Sequence, residues 1–395
     1  MYMAEGKLLF APVLFIAQAL CAIIPQLKMN NKSTFLLLIF LALIFNSCQN
    51  KNEKYVCKPC DLECDELAFS EAGTCPHCQM ELIKKSDLTT AKEIVLNEIK
   101  IQDGSGAFLI EGGVGNNDKT IKVFYHKPKN YSPTSRVLIV IPGAGRNGDS
   151  YRDTWIEESE KYSVLILSPM YPESDYGFED YHLCGLITDT NLKNSIEYVE
   201  NTNIVRLDED KFNFKVNPNS NEWIFNDFDR LFDLTAESLN SKQKSYDVFG
   251  HSAGGHILHR FALFQKSSKA DKILASNPSF YTLPSFEADF PFGLENAPIE
   301  QESLKSVFKK NLIVFLGELD NENETGGTFL HSKSANEQGL HRLERGKYFF
   351  KESKAIAKEL ELNFDWDLVI IPKVGHDHRK MGDAAAKYLY GETEQ

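Results

Sequence analysis

The stretch Tyr246-Asp-Val-Phe-Gly-His-Ser-Ala-Gly-Gly255 decides the fold. An apolar run stops abruptly at Gly250-His-Ser-Ala-Gly254, and a segment with helical pattern follows. The five residues read G-x-S-x-G between a strand and a helix. That is the pattern of a nucleophile elbow, in which the serine sits on a strained turn with its hydroxyl exposed at the end of a sheet. Glycines flank Ser252 because a side chain at either place would collide with neighbouring backbone in so tight a turn. A motif this short arises by chance, so its meaning depends on whether the chain also supplies a base, an acid and an oxyanion site.

Working outward, strand candidates are Ala107–Ile110, Thr120–His126, Arg136–Ile141, Val164–Ser168, Tyr246–Phe249, Lys272–Ser276, Leu312–Leu316 and Leu368–Ile371. The last six are rich in Leu and β-branched residues and lack polar alternation, as expected of strands covered on both faces in a parallel sheet. Helical spacing is expected at Glu222–Leu239, after Ser252, at Tyr348–Leu360 and at Gly382–Tyr390. Strands alternating with helices predict an α/β fold with a mainly parallel central sheet.

Ser252 needs a base to take its proton, an acid to orient that base, and donors for the oxyanion. Asp320 follows the strand Leu312–Leu316, at the carboxyl end where ligand-facing groups collect in open α/β sheets. Glu318 is its rival. His376 follows the last strand directly after Gly375, with His378 two residues on. The chain order Ser252, Asp320, His376 matches the order of a hydrolase triad on this architecture. Ala253 supplies one expected oxyanion N–H. The second is expected from Ala144 or Gly145 in the loop Ile141-Pro-Gly-Ala-Gly-Arg-Asn147, where small residues let backbone approach a carbonyl oxygen. The loop carries no phosphate-binding motif, so no nucleotide site and no cofactor for catalysis are expected. The aromatics Tyr171, Tyr176, Phe178, Tyr181, Phe286, Phe290 and Phe292 either shape pockets or pack loops. His256 and His259 are expected on the elbow helix in structural roles, and Cys184 as a buried thiol.

From about residue 106 to 391 the chain resembles α/β-hydrolase-fold serine hydrolases, in particular secreted esterases related to polyhydroxybutyrate depolymerases and feruloyl esterases. Ser252, Asp320, His376 and the loop Pro142-Gly-Ala-Gly145 carry the resemblance, which departs from the family by placing Pro142 where a histidine is common. It implies cleavage of a small-molecule or polymeric carboxylic ester through an acyl-enzyme. Peptidase and lipase activities of the same fold stay open, as does a metal-binding envelope protein whose hydrolase-like domain is a non-catalytic scaffold.

The N-terminal region reads differently. Leu8–Leu27 is apolar but interrupted by Pro12 and Pro25; Phe35–Phe45 is shorter, follows Lys32 and ends in Asn46-Ser-Cys48. Residues 29–47 resemble a bacterial lipoprotein signal with Cys48 as the lipidated residue, and on that reading residues 1–28 are expected to be an over-called start or a dispensable extension. The alternative is a transmembrane anchor at Leu8–Leu27. A polar tether is expected at 48–54, a cysteine-rich ribbon at 55–85, a linker at 86–103 and the hydrolase domain at 104–391. Cys57, Cys60, Cys75 and Cys78 form two C-x-x-C pairs, with Cys64 as an extra thiol. Paired knuckles suit tetrahedral zinc, with Cu(I) or disulfides as alternatives. Residues 55–82 resemble the small heavy-metal-binding domain appended to copper-transporting ATPases and efflux proteins, with Pro59 and Cys60 standing where that family has Met-His. The formal net charge of −13 argues against a nucleic-acid partner. A membrane partner is expected through the lipid anchor.

Overall fold

The computed structural model describes residues 54–57, 67–76, 82–85 and 99–391. The leader 1–47, Cys48, Cys60, Cys64, Cys78 and most of the linker lie outside the described residues.

Eight strands form the main sheet: β1 (Gly104–Glu111), β2 (Thr120–Lys127), β3 (Val137–Ile141), β4 (Leu165–Met170), β5 (Tyr246–His251), β6 (Ala270–Ser276), β7 (Asn311–Gly317) and β8 (Asp367–Ile371). Their spatial order is β1-β2-β4-β3-β5-β6-β7-β8. The first two join antiparallel, and β2 meets β4 antiparallel. From β4 onward every pairing is parallel. The parallel part therefore coincides with the six uninterrupted apolar runs. Register is set at the centre by Val248, which pairs with Ile139 on one side and Ile273 on the other.

Because successive strand residues point to opposite faces, each apolar run serves two cores. Val137, Ile139, Ile141, Val248, Ile273, Leu312, Val314 and Leu316 face one core, with Phe228 and Leu231 of α3 (Asn226–Ser238), Ile257, Leu258 and Phe261 of α4 (Ala253–Phe264), and Phe349 of α5 (Arg342–Glu359). Leu138, Val140, Phe249, Leu274, Ile313 and Phe315 face the other. There they meet Tyr151 of α1 (Gly148–Asp153), Trp155 just before α2 (Ile156–Tyr162), and Met381, Ala385 and Leu389 of α6 (His378–Tyr390). A sheet clad on both faces has no place for polar alternation. The exception is β8, an edge strand that is covered only in part: Ile370 is 38% exposed. Its neighbour lies on one side only, which corrects the expectation of full cover there.

Two helices start earlier than their apolar periodicity suggests, because side-chain caps extend them. His341 accepts from the N–H of Glu344 and opens α5 at Arg342. Asp377 accepts from Arg379 and Lys380 N–H at 3.1 and 3.2 Å and opens α6 at His378.

A small three-stranded sheet covers the cleft side. Ile204–Leu207 pairs antiparallel with Ile196–Tyr198 and parallel with Phe329–His331. In the cysteine-rich region, Tyr55–Val56 pairs antiparallel with both Ala68–Phe69 and Ile83–Lys84. Cys57 and Cys75 are buried there in one small apolar cluster with Leu82. Among the described residues no helix is long and apolar enough to cross a membrane.

Candidate active site

The carboxyl ends of β3, β5, β6, β7 and β8 lie along one edge, and the polar residues just beyond them converge there. At the end of β5 the chain turns so sharply that Ser252 adopts φ 57°, ψ −116°. A Cβ on Gly250 would strike the carbonyl of Gly254, and one on Gly254 the carbonyl of Ile141. This strained conformation is held by Ser252 N–H to Ser276 O at 2.9 Å and by His256 N–H to Ser252 O at 3.0 Å. Ser252 is half-buried and lines a cleft of about 1060 Å³.

Asp320 is buried just past β7, and its Oδ2 accepts from His376 Nδ1 at 2.8 Å. Asn277, at the end of β6, also donates to Oδ2, while Arg342 Nη1 reaches Oδ1 at 3.2 Å. Burial pushes the Asp320 carboxyl up, but His376 and Arg342 outweigh it and hold the group well below the usual carboxylate range. Glu318 is exposed and accepts from Lys373 N–H at 2.8 Å. His378 is carried off by α6 and stacks on Tyr151 at 4.5 Å, where burial and Arg379 push its imidazole down to about 4. Of the two rival pairs, the structure thus brings Asp320 and His376 together. His376 Nε2 is buried and has no hydrogen-bond partner among the described residues, so no bond to Ser252 is formed in this state. Such bonds are often long before substrate binds.

Ala253 occupies the first position of α4, where an N–H has no acceptor within the helix. Ala253 and Ala144 both border the cleft beside Ser252; Gly145 is not among its lining residues. The loop bearing Ala144 is pinned from below. Arg146 is buried with φ 53°, and its Nη1 donates to the carbonyls of Tyr171 and Tyr176 at 3.2 and 2.5 Å. Its Nη2 reaches Gly177 O at 3.2 Å. Tyr181 donates to Pro142 O at 2.7 Å under the same guanidinium.

The cleft wall is mixed. Phe178, Phe280, Phe292 and Leu330 give apolar surface. Glu179 and Asp180 also border it but are committed to Thr190 N–H at 2.7 Å and to Lys119 at 3.2 Å. His256 lines the cleft too, with Nε2 accepting from Ser279 N–H at 2.9 Å. The aromatics divide: Tyr171, Tyr176 and Tyr181 are core, whereas Phe178 and Phe292 face the cleft. Cys184 is a buried free thiol, its pKa raised by burial to about 12.

No family model and no curated protein matches the chain. Among solved structures, poly(aspartic acid) hydrolase-1 from Sphingomonas sp. KT-1 is 30% identical with a TM-score of 0.62, over 74% of this chain and 100% of that one. The poly(3-hydroxybutyrate) depolymerase LpqC from Bordetella parapertussis is 24% identical with a TM-score of 0.61, over 74% and 92%. The second likeness speaks for the fold alone.

Proposed function

Starting from a chain that belongs to the family of poly(aspartic acid) hydrolase-1, hydrolases built on an α/β fold, we propose that it cleaves a carboxylic ester with Ser252, His376 and Asp320. One observation carries the reading. Asp320 Oδ2 holds His376 Nδ1 at 2.8 Å, with Ser252 on its elbow at the same edge of the sheet. That bond fixes the tautomer in which Nε2 is the free base. His376 Nε2 takes the Ser252 proton as Oγ attacks the ester carbonyl. The N–H groups of Ala253 and of the Ala144–Gly145 turn receive the oxyanion. His376 protonates the leaving alkoxide as its bond to the acyl carbon breaks. It then takes a proton from a water whose oxygen attacks the acyl carbonyl, and returns that proton to Ser252 Oγ as the acyl–Oγ bond breaks and the acid leaves. Ser252→Ala is expected to abolish turnover of a p-nitrophenyl ester and labelling by a fluorophosphonate. Turnover or labelling that survives the change refutes the assignment.

A second reading, hydrolysis of an amide in an acidic polymer, is favoured by one fact: the relative matched over its whole length is a poly(aspartic acid) hydrolase. A panel of p-nitrophenyl esters beside poly(aspartic acid) separates the two.

The same proposal places the enzyme outside the cell membrane, lipidated at Cys48. Mass spectrometry of the mature N-terminus tests this, and an intact Met1 refutes it. A zinc or Cu(I) ion held by Cys57, Cys60, Cys75 and Cys78, with Cys64 as a further candidate ligand, would stabilise the ribbon and take no part in hydrolysis. Burial of Cys57 and Cys75 in one cluster fits two of these ligands.

A further inference from the structure

Arg342, the first residue of α5, is buried to 2% exposure between Asp320 and a backbone strap. Its Nη1 meets Asp320 Oδ1 at 3.2 Å, and its Nη2 donates to the carbonyls of Gly327 and Thr328 at 2.9 and 2.8 Å. The strap lies on the base. A Cβ on Gly327 would stand 2.6 Å from His376 Nε2 and 3.4 Å from Arg342 Nη2. At its far end the strap runs into Phe329–His331, part of the cleft wall. Asn203, from the opposite turn of that wall, donates to Gly326 O and Gly327 O at 3.3 and 3.0 Å.

A buried ion pair returns little net stability, because desolvation offsets the Coulomb gain. Stability alone therefore gives poor reason for an arginine here. Its planar fork does explain the choice, since it holds a carboxylate and two carbonyls in fixed directions at once.

We propose that Arg342 is a positioning residue for the hydrolytic reaction: it anchors Asp320 Oδ1 so that Oδ2 faces His376, and it ties the strap whose backbone sets the place of His376 Nε2. The proposal rests on the serine-hydrolase reading above. Arg342 acts through Asp320 and Gly327. The base is faced by Asp320 beyond β7, by Arg342 across Gly327 and by His251 of β5 at 4.5 Å between ring centres. Glu324 accepts from its main-chain N–H at 2.7 Å, and His378 lies two residues on. Arg342 and Asp320 are thus the oppositely charged pair that frames it.

The test is the rate of fluorophosphonate labelling of Ser252 against pH, in the full chain, for wild type, Arg342→Gln and Arg342→Lys, with melting temperatures alongside. Arg342→Gln is expected to label about tenfold more slowly at its plateau, since a misplaced base loses rate steeply. Its half-maximal pH is expected to rise above that of wild type, because a cation facing the base has gone. Arg342→Lys is expected to keep the wild-type midpoint while remaining slow, as an ammonium has the charge without the fork. A wild-type rate and midpoint in Arg342→Gln overturns the proposal. So does equal slowing of both variants with neither midpoint moved. If Arg342→Gln fails to fold, Arg342→Lys decides: a slowed plateau at unchanged melting temperature supports the proposal, and a wild-type plateau overturns it. Wild type unlabelled at Ser252 would instead overturn the serine-hydrolase reading, and this one with it.

Discussion

Adding one methyl group at Gly327 should disable the base while leaving the fold standing. Gly327 has φ +60°, and an L-residue in that left-handed region costs about 1–2 kcal/mol. The new Cβ would lie 2.6 Å from His376 Nε2 and 2.7 Å from Cδ2. Comfortable contact needs about 3.5–4 Å, so the ring or the strap must give by about 1 Å. A displacement of that size at a reacting group costs about a hundredfold in rate. Gly327→Ala is therefore expected to lower kcat/KM on a p-nitrophenyl ester about a hundredfold, with a drop in melting temperature of only a few degrees. Gly326→Ala is the control. Its Cβ would meet Glu324 Oε1 at 3.1 Å and His376 Cβ at 3.6 Å, close but tolerable. Wild-type kcat/KM in folded Gly327→Ala, or a larger loss in Gly326→Ala, would refute the argument that the strap sets the base.

Asp320→Asn should lower kcat about a thousandfold or more by presenting the wrong partner to Nδ1, read by ester kinetics. The depressed Asp320 carboxyl carries a stability consequence whose sign is fixed. Its contribution is present above the ordinary carboxylate pKa of about 3.9 and is lost as pH falls below that toward the depressed value, so wild type should lose melting temperature on acidification more steeply than Asp320→Asn. Arg146→Met would leave the carbonyls of Tyr171 and Tyr176 without their side-chain donor, while Gly177 O keeps the N–H of Tyr181, and is expected to cost about 3 kcal/mol by denaturant melts, with kcat falling as the Ala144 loop loosens. Elemental analysis of the purified protein should find zinc or copper, and Cys75→Ser should lose it. Absence of metal together with no free thiol at Cys57 and Cys75 would favour disulfides.

The sheet was legible because strands buried on both faces are written as unbroken apolar runs. Val137–Ile141 and Asn311–Gly317 are found where Arg136–Ile141 and Leu312–Leu316 were expected. Ser252, Asp320 and His376 were legible because parallel strands bring the loops at their carboxyl ends to one edge. The residues that hold this arrangement left no such trace. Asn277, Glu324, Arg342 and Arg146 act through side-chain hydrogen bonds to groups outside their own elements, and no periodicity encodes that. The aromatic loop shows the same limit. Tyr181 and Phe178 are three residues apart, yet one is wholly buried and the other is 47% exposed at the cleft. Only the tertiary surroundings separate them.

The cleft wall joins partners far apart along the chain: Asn203 and Gly326 are separated by 123 positions. Closing so long a loop costs entropy that local contacts cannot offset early, so pairings of this kind form late. The elbow joins β3 and β5 across a comparable separation, but it rests on the doubly clad main sheet, with β6 also holding Ser252 through Ser276 O, whereas the wall is a small three-stranded sheet. The wall should therefore be the last part of the domain to assemble and the first to open, a cooperative unit of its own in amide exchange. A chain caught before that step would already have its sheet and its serine, but no defined place for the bond it cuts.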